Sequence, residues 1–290
     1  MMNQPKGYLV AVGGAEDKGI VEKAKSGNEL DFFEEGILKN IVELASKKGE
    51  PVIEVITTAS SVPDEMAQTY RAAFRKLGDI EIGHIKITNR EEADSKKVLD
   101  RLSKCNCVMF SGGDQFRLCS TLGGTQFSNM LKDRYTNDHF IIAGTSAGAA
   151  AMSNTIICSG DPARSFLKGE VELSLGFGFI SNVIIDTHFD KRGRFGRLVQ
   201  AIATQPGTIG IGLGEDTGVI VEKGTRLKAI GSRSVVIIDG SNIRHNSISD
   251  IRNGAPISVE NLTVHVMANS DMFDISNRTF TGVQFAPHLK

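Results

Sequence analysis

The chain carries almost no charge imbalance, with 33 Lys and Arg against 34 Asp and Glu in 290 residues and a formal net charge of -1. No global electrostatic argument therefore favours nucleic acid or an anionic membrane surface as a partner. No apolar run approaches the roughly 20 residues that a bilayer-spanning helix needs. The N-terminal "MMNQPKGYLV" passes almost directly into a strand-like run without the apolar core of a secretion signal, so a cytoplasmic location is expected. Cysteine is scarce. Cys105, Cys107, Cys119 and Cys158 lack zinc-site spacing and read as small buried hydrophobes in a reducing compartment. Cys105 and Cys107, two residues apart, are expected to face the same way on a strand. There is no Pro/Ser-rich linker, repeat or low-complexity segment, so residues 1–290 read as one domain.

What is present is an alternation of short apolar runs with amphipathic stretches. "GYLVAVGG" (7–14), "PVIEVITTAS" (51–60), "IEIGHIKIT" (80–88), "NCVMFSGG" (106–113) and "HFIIAGTS" (139–146) read as strands. Between them, 31–49, 63–78 and 90–105 have apolar residues at helical spacing. Pro63 stands near one helix start and Gly78 at its end. Strand and helix alternating with crossovers of this length predict an α/β fold, a doubly wound, mostly parallel sheet covered on both faces. From about residue 216 the pattern changes to short β-branched runs separated by Gly-containing turns, a β-hairpin extension of the same domain.

In open α/β sheets, ligands gather outside the carboxyl ends of the strands. Four suggestive segments fall at such ends: "GGAED" (13–17), "TTASS" (57–61), "SGGDQ" (111–115) and "GTSAG" (144–148). G-x-S-x-G at a strand-to-helix junction is a nucleophile elbow, and it points to Ser146. The pattern alone is weak because 31 residues are glycine, but its position strengthens it. The plain alternative is a small residue in a packing turn. A nucleophilic serine needs a base. His139 opens the strand that leads to Ser146 and belongs at the far end of the sheet. His84 lies inside an alternating strand, and His245, His265 and His288 fall in the hairpin region or tail. His188 follows the apolar run "NVIID" and shares a carboxyl strand end with Ser146. Glu215 or Asp216 in "GIGLGEDTG" could orient it; Glu215 is favoured. The N–H groups of Gly113 and Ala147 would form an oxyanion hole. Gln115 would donate to a substrate carbonyl, and Asp114 is either a site residue or a helix N-cap. Arg192, Arg194 and Arg197 would fork onto substrate carboxylates. Asp186 and Asp190 would receive a cationic group from the same substrate. Residues 157–178 are placed as a rim or lid.

"GGAED", "SGGDQ", "GTSAGA", "IDTHFDKRGRFGRL" and "GEDT", in this order and spacing from about residue 7 to 218, resemble the signature segments of the cyanophycinases, in the dipeptidase E group of serine peptidases. The resemblance implies a fold like that of class I glutamine amidotransferases, with serine in place of cysteine at the elbow. It implies Ser146 as nucleophile, His188 as base and Glu215 as its partner. Gln115, Asp186, Thr187, Arg192, Arg194 and Arg197 fall on positions associated with substrate binding. The implied substrate is cyanophycin, a poly-aspartate with arginine on each β-carboxyl, cut to β-Asp-Arg. No metal or organic cofactor, no nucleic acid and no membrane are implied, and a homodimer is expected. Thr187 departs from the glutamine often found there, which leaves other aspartyl or isoaspartyl peptides as an alternative substrate class. A glutamine amidotransferase would need cysteine at the elbow. A non-catalytic ligand-binding α/β protein could use the same Gly-rich strand ends.

Overall fold

The computed structural model describes residues 4–19 and 30–283. Five strands form the parallel body of a nine-stranded sheet: β1 (Tyr8–Val12), β2 (Val52–Ile56), β3 (Glu81–Ile85), β4 (Cys107–Phe110) and β5 (Ile141–Thr145), in the order β1-β5-β4-β2-β3. All four pairings in this half are parallel. β1, β4 and β5 are apolar because both faces are covered. Leu9, Ala11, Val108, Phe110 and Ile142 pack into one layer. Val10, Val12, Met109, Ile141 and Ala143 pack into the other.

The crossovers are α1 (Ile37–Ser46), α2 (Pro63–Arg75), α3 (Arg90–Ala93), α4 (Lys96–Lys104), α5 (Gln115–Leu122) and α6 (Gln126–Asn137), and β5 runs directly into the short α7 (Ala147–Ala150). α1 buries Ile37, Leu38, Ile41, Val42 and Ala45, the stripe that its spacing predicts. It begins at 37 and not 31, because the amides of Phe33, Glu35 and Gly36 turn onto Asp31 instead. The stretch 90–105 holds two helices: Ser95, extended at ψ 142, breaks the run and caps α4. Cys105 ends α4 and packs in the first layer, while Cys107 lies in the second. The expectation that the two face the same way is thereby corrected, since Cys105 precedes the strand.

The chain then leaves the main sheet. β6 (Thr155–Gly160) and β7 (Val171–Leu175) form a hairpin, so the expected rim over 157–178 is framed by two strands joined through a loop with a short 3-10 turn. β8 (Val183–Asp186) and β9 (Ile209–Leu213) pair in parallel around α8 (Phe195–Thr204). β10 (Thr217–Glu222) and β11 (Arg226–Gly231) return to β1 as an antiparallel hairpin, turning at Lys223 and Gly224, both at positive φ. β12 (Val235–Asp239) and β15 (Thr263–Met267) extend the β8–β9 sheet to four strands, with the small β13 (His245–Asn246) and β14 (Val259–Glu260) pair between them in sequence. β16 (Met272–Asp274) and β17 (Thr279–Thr281) close the far edge of the main sheet. The hairpin extension thus continues the existing sheets, and half of the main sheet is antiparallel. Among the described residues no helix is long and apolar enough to cross a membrane.

Close packing under the β5–α7 junction requires glycine. A Cβ on Gly144 would stand 2.6 Å from the Gly148 carbonyl carbon, and one on Gly148 would stand 2.6 Å from Phe110 Cβ. Gly144→Ala and Gly148→Ala should each lose about 1–3 kcal/mol of stability by overpacking. Gly207→Ala, where no atom lies within 4 Å, should lose little. Urea denaturation midpoints of the three variants check this.

Candidate active site

The carboxyl end of β1 organises the site. Three successive carbonyls there accept backbone N–H groups from three distant segments. Val12 accepts from Ser146 at 2.9 Å, Gly13 from His188 at 2.8 Å, and Gly14 from Asp216 at 2.8 Å. Ser146, His188 and Asp216 all hold left-handed backbone, with φ of 50°, 49° and 48°. This conformation costs a non-glycine residue of order 1 kcal/mol or more, and it persists only where the surroundings fix it. Gly14 itself sits at φ 113°, and a Cβ there would stand 2.4 Å from Cε1 of the His188 imidazole.

The side chains so placed form a relay. Ser146 Oγ lies 3.1 Å from His188 Nε2, and His188 Nδ1 lies 2.9 Å from Glu215 Oε1. With Glu215 accepting from Nδ1, the proton-free Nε2 faces the serine hydroxyl, the arrangement a general base requires. Asp216, the other candidate partner, turns away. Its carboxylate accepts from the Asp17 amide at 2.9 Å and from the Ser232 hydroxyl. Burial raises its pKa, against the lowering effect of those hydrogen bonds. His139 bonds the Leu44 carbonyl at 2.9 Å, away from this end, and His84 pairs with Thr57 at 2.8 Å. His245 lies in β13 and His265 stacks on Phe280; His288 lies outside the described residues.

Ser146 and His188 open into a cavity of about 330 Å³, lined also by Gly112, Gly113, Thr145, Glu16, Lys18, Tyr70 and Arg192. Gly112 is close enough that its Cβ would lie 3.5 Å from Ser146 Cβ. Ala147 follows as the first residue of α7, almost fully buried. Gly113 also borders a larger cavity of about 840 Å³, lined by Asp114, Gln115, Ser159, Glu172, Ser174, Arg194 and Arg197. The cleft therefore has an inner chamber at Ser146 and an outer one against the β6–β7 hairpin.

Several residues expected to meet substrate meet the protein instead. Asp186, 2% exposed, is paired with Arg197 through both carboxylate oxygens and with Arg194 at 3.4 Å. The cationic group it receives is its own chain's, which corrects the expectation that it takes one from the substrate. Thr187 is buried, and its carbonyl accepts from Arg194 Nη1 at 2.6 Å. Gln115 spends its amide hydrogens on the Ile157 and Cys158 carbonyls, at 2.7 and 3.3 Å, and so pins the hairpin. Only its Oε1 is left for a ligand, so the expected donation to a substrate carbonyl is corrected. Asp114 caps α5 through the Arg117 amide at 2.9 Å. Asp190 pairs with Arg233 at 3.1 Å, so it too has an internal cation where a substrate group was expected. Arg194 keeps a buried Nε without a partner. Burial lowers its pKa to about 10, with Arg197 and Arg192 adding to the effect against Asp186. Arg192 is exposed and faces the inner chamber. The group of buried Glu16, Tyr70 and Thr145 with half-buried Lys18 was not legible beyond "GGAED", because its members come from three segments. Among the described residues no group of three or more His, Cys, Asp or Glu could hold a metal ion.

Fold and geometry together define an α/β protein with a serine–histidine–glutamate array on a strand-to-helix elbow. The sequence model of peptidase family S51 matches residues 25–229. The chain is 33% identical over 272 residues to a cyanophycinase of Synechococcus elongatus, covering 93% of this chain and 80% of that protein. It is 32% identical over 274 residues to one of Trichormus variabilis, covering 94% and 87%. A solved peptidase from an acI-B1 actinobacterium superposes with a TM-score of 0.64 at 20% identity, covering 90% of this chain and 98% of that one, which supports the fold. The chain belongs to peptidase family S51 and is a serine-type exopeptidase by that membership.

The pairing pattern separates structural from available arginines. Arg197→Met leaves the Asp186 carboxylate buried without a close cation, held by the Thr187 amide at 2.8 Å and its longer 3.4 Å contact to Arg194. It should cost about 3 kcal/mol and lower the melting temperature by roughly 5 °C or more. Arg192→Met should leave it unchanged. Thermal denaturation followed by circular dichroism distinguishes the two.

Proposed function

We propose that the protein hydrolyses cyanophycin to β-Asp-Arg through a Ser146–His188–Glu215 triad and an acyl-enzyme. The observation that carries this reading is the continuous hydrogen-bonded relay from Ser146 Oγ through His188 to Glu215. The names of the relatives, matched over nine-tenths of the chain, supply the substrate class. His188 takes the Ser146 proton as Oγ attacks the scissile carbonyl. The oxyanion is held by the N–H groups of Gly113 and Ala147. His188 then passes the proton to the leaving amine, and a water molecule clears the ester by the same route.

The two chambers suit a substrate of mixed charge. The inner one offers Arg192 and Lys18, and the outer one offers Glu172 and Asp114 beside Arg194 and Arg197. Each arginine of cyanophycin carries both a free carboxylate and a guanidinium, so the polymer needs both. Thr187 lies beneath Arg194, so its difference from glutamine removes an amide without opening the triad.

Incubation with purified cyanophycin should release β-Asp-Arg, detected by mass spectrometry. Ser146→Ala or His188→Ala should lower the rate by on the order of 10⁴-fold or more. Intact polymer alongside cleaved isoaspartyl dipeptides would move the assignment to the alternative substrate class. Full activity in Ser146→Ala would remove the nucleophile assignment.

A further inference from the structure

The inner chamber contains an arrangement that the triad does not use. Glu16, 4% exposed, points inward from the loop after β1. Its carboxylate accepts from the Thr145 hydroxyl at 2.6 Å and from the Tyr70 hydroxyl, and it pairs with Lys18 Nζ at 3.0 Å. Burial opposes ionisation of Glu16, but the Lys18 charge and the two hydroxyls outweigh it and hold the pKa below the usual carboxylate value. Burial and the Glu16 charge raise Tyr70 well above its normal value, so it stays a donor. Lys18 Nζ also lies 3.4 Å from the Glu16 carbonyl and 5.2 Å above the Tyr70 ring. An ammonium has three hydrogens, and its contacts with Glu16 occupy two.

This network fixes a flexible side chain at the wall of the cavity that holds Ser146. A lysine held this way has lost most of its rotamer entropy before a ligand arrives, so binding need not supply that cost. Thr145, which donates to Glu16, is the residue immediately before Ser146. The buried Glu16 charge is already neutralised by Lys18, and Arg192 adds a second cation to the same wall without a side-chain partner among the described residues. The inner chamber therefore presents a net positive face to a ligand at Ser146.

We propose that Lys18, held by Glu16 and over the Tyr70 ring, binds a free carboxylate of the substrate beside the scissile amide, with Arg192 as the second cation of that subsite. The identification of the carboxylate as part of a peptide rests on the functional reading above, but the anion site itself does not. Glu16 is a positioning residue: it reaches the substrate only through Lys18.

Succinate is the probe, with neutral succinamide as control, and binding is measured by saturation-transfer NMR. The native protein should bind succinate and not succinamide. Lys18→Met should weaken succinate binding at least tenfold, and Lys18→Arg should retain most of it. Because Lys18→Met leaves Glu16 buried without its counterion, the double variant Glu16→Gln/Lys18→Met removes both charges together and should show the same loss with the fold preserved. Glu16→Gln alone, which frees the ammonium from its anchor, should weaken succinate less than Lys18→Met does. Succinate should also slow the labelling of Ser146 by a fluorophosphonate in the native protein and not in the double variant. Equal succinate affinity in native and double-variant protein, or no binding to the native protein, overturns the proposal. Binding that depends on Lys18 in a protein that leaves cyanophycin intact would overturn the polymer assignment and keep the anion site.

Discussion

The active end of this molecule hangs on three consecutive peptide carbonyls, those of Val12, Gly13 and Gly14. Each accepts one backbone N–H from a separate part of the chain: Ser146, His188, and Asp216 beside Glu215. The donors would not hold left-handed backbone on their own. They hold it because the hydrogen bond and the packing under it are worth more than the local strain. Relative placement of Ser146, His188 and Glu215 therefore depends on one strand end, and less on the loops that carry them. This matches the general tactic of building a site on rigid elements, where angstrom errors in geometry are expensive.

The second organising feature is how charge is distributed around the cleft. Asp186 and Arg197 cancel each other in a buried pair, with Arg194 leaning on both the carboxylate and the Thr187 carbonyl. Those groups shape the floor of the outer chamber. Arg192 and Lys18 stand at the inner chamber, where a charge is felt by a bound ligand. Three arginines within six residues thus have different duties, decided by burial and partners.

Most of the parallel body and the convergence of strand ends was legible in the sequence. Apolar runs of five or so residues bounded by glycine, alternating with helical stripes, leave few other folds. The gathering of Ser146, His188 and Glu215 was legible for a related reason: the carboxyl strand ends of a parallel sheet meet, so residues far apart in sequence can be assigned to one cleft. What stayed hidden was pairing. Nothing in the string "IDTHFDKRGRFGRL" separates an aspartate that meets a ligand from one that meets Arg197 eleven residues later. Glu16 lies 54 residues from Tyr70 and 129 from Thr145; no periodicity links positions on three unrelated segments. The break between α3 and α4 was missed because the long polar run between Ala93 and Val98 carries no proline or glycine to mark it, and Asp94 and Ser95 end one helix and open the next through local backbone geometry. The antiparallel half of the main sheet reads only as hairpins, since strand patterning does not say which edge a hairpin joins.

Gly14 has no side chain to offer the reaction, and the space its missing Cβ leaves is filled by the His188 ring. The position is therefore constrained as tightly as the histidine, though chemistry never touches it. In a family diverging from this scaffold, substrate-facing side chains are free to drift, whereas this hydrogen atom is not. Ancestry would be recorded in the doublet Gly13–Gly14 longer than in the residues that choose a substrate.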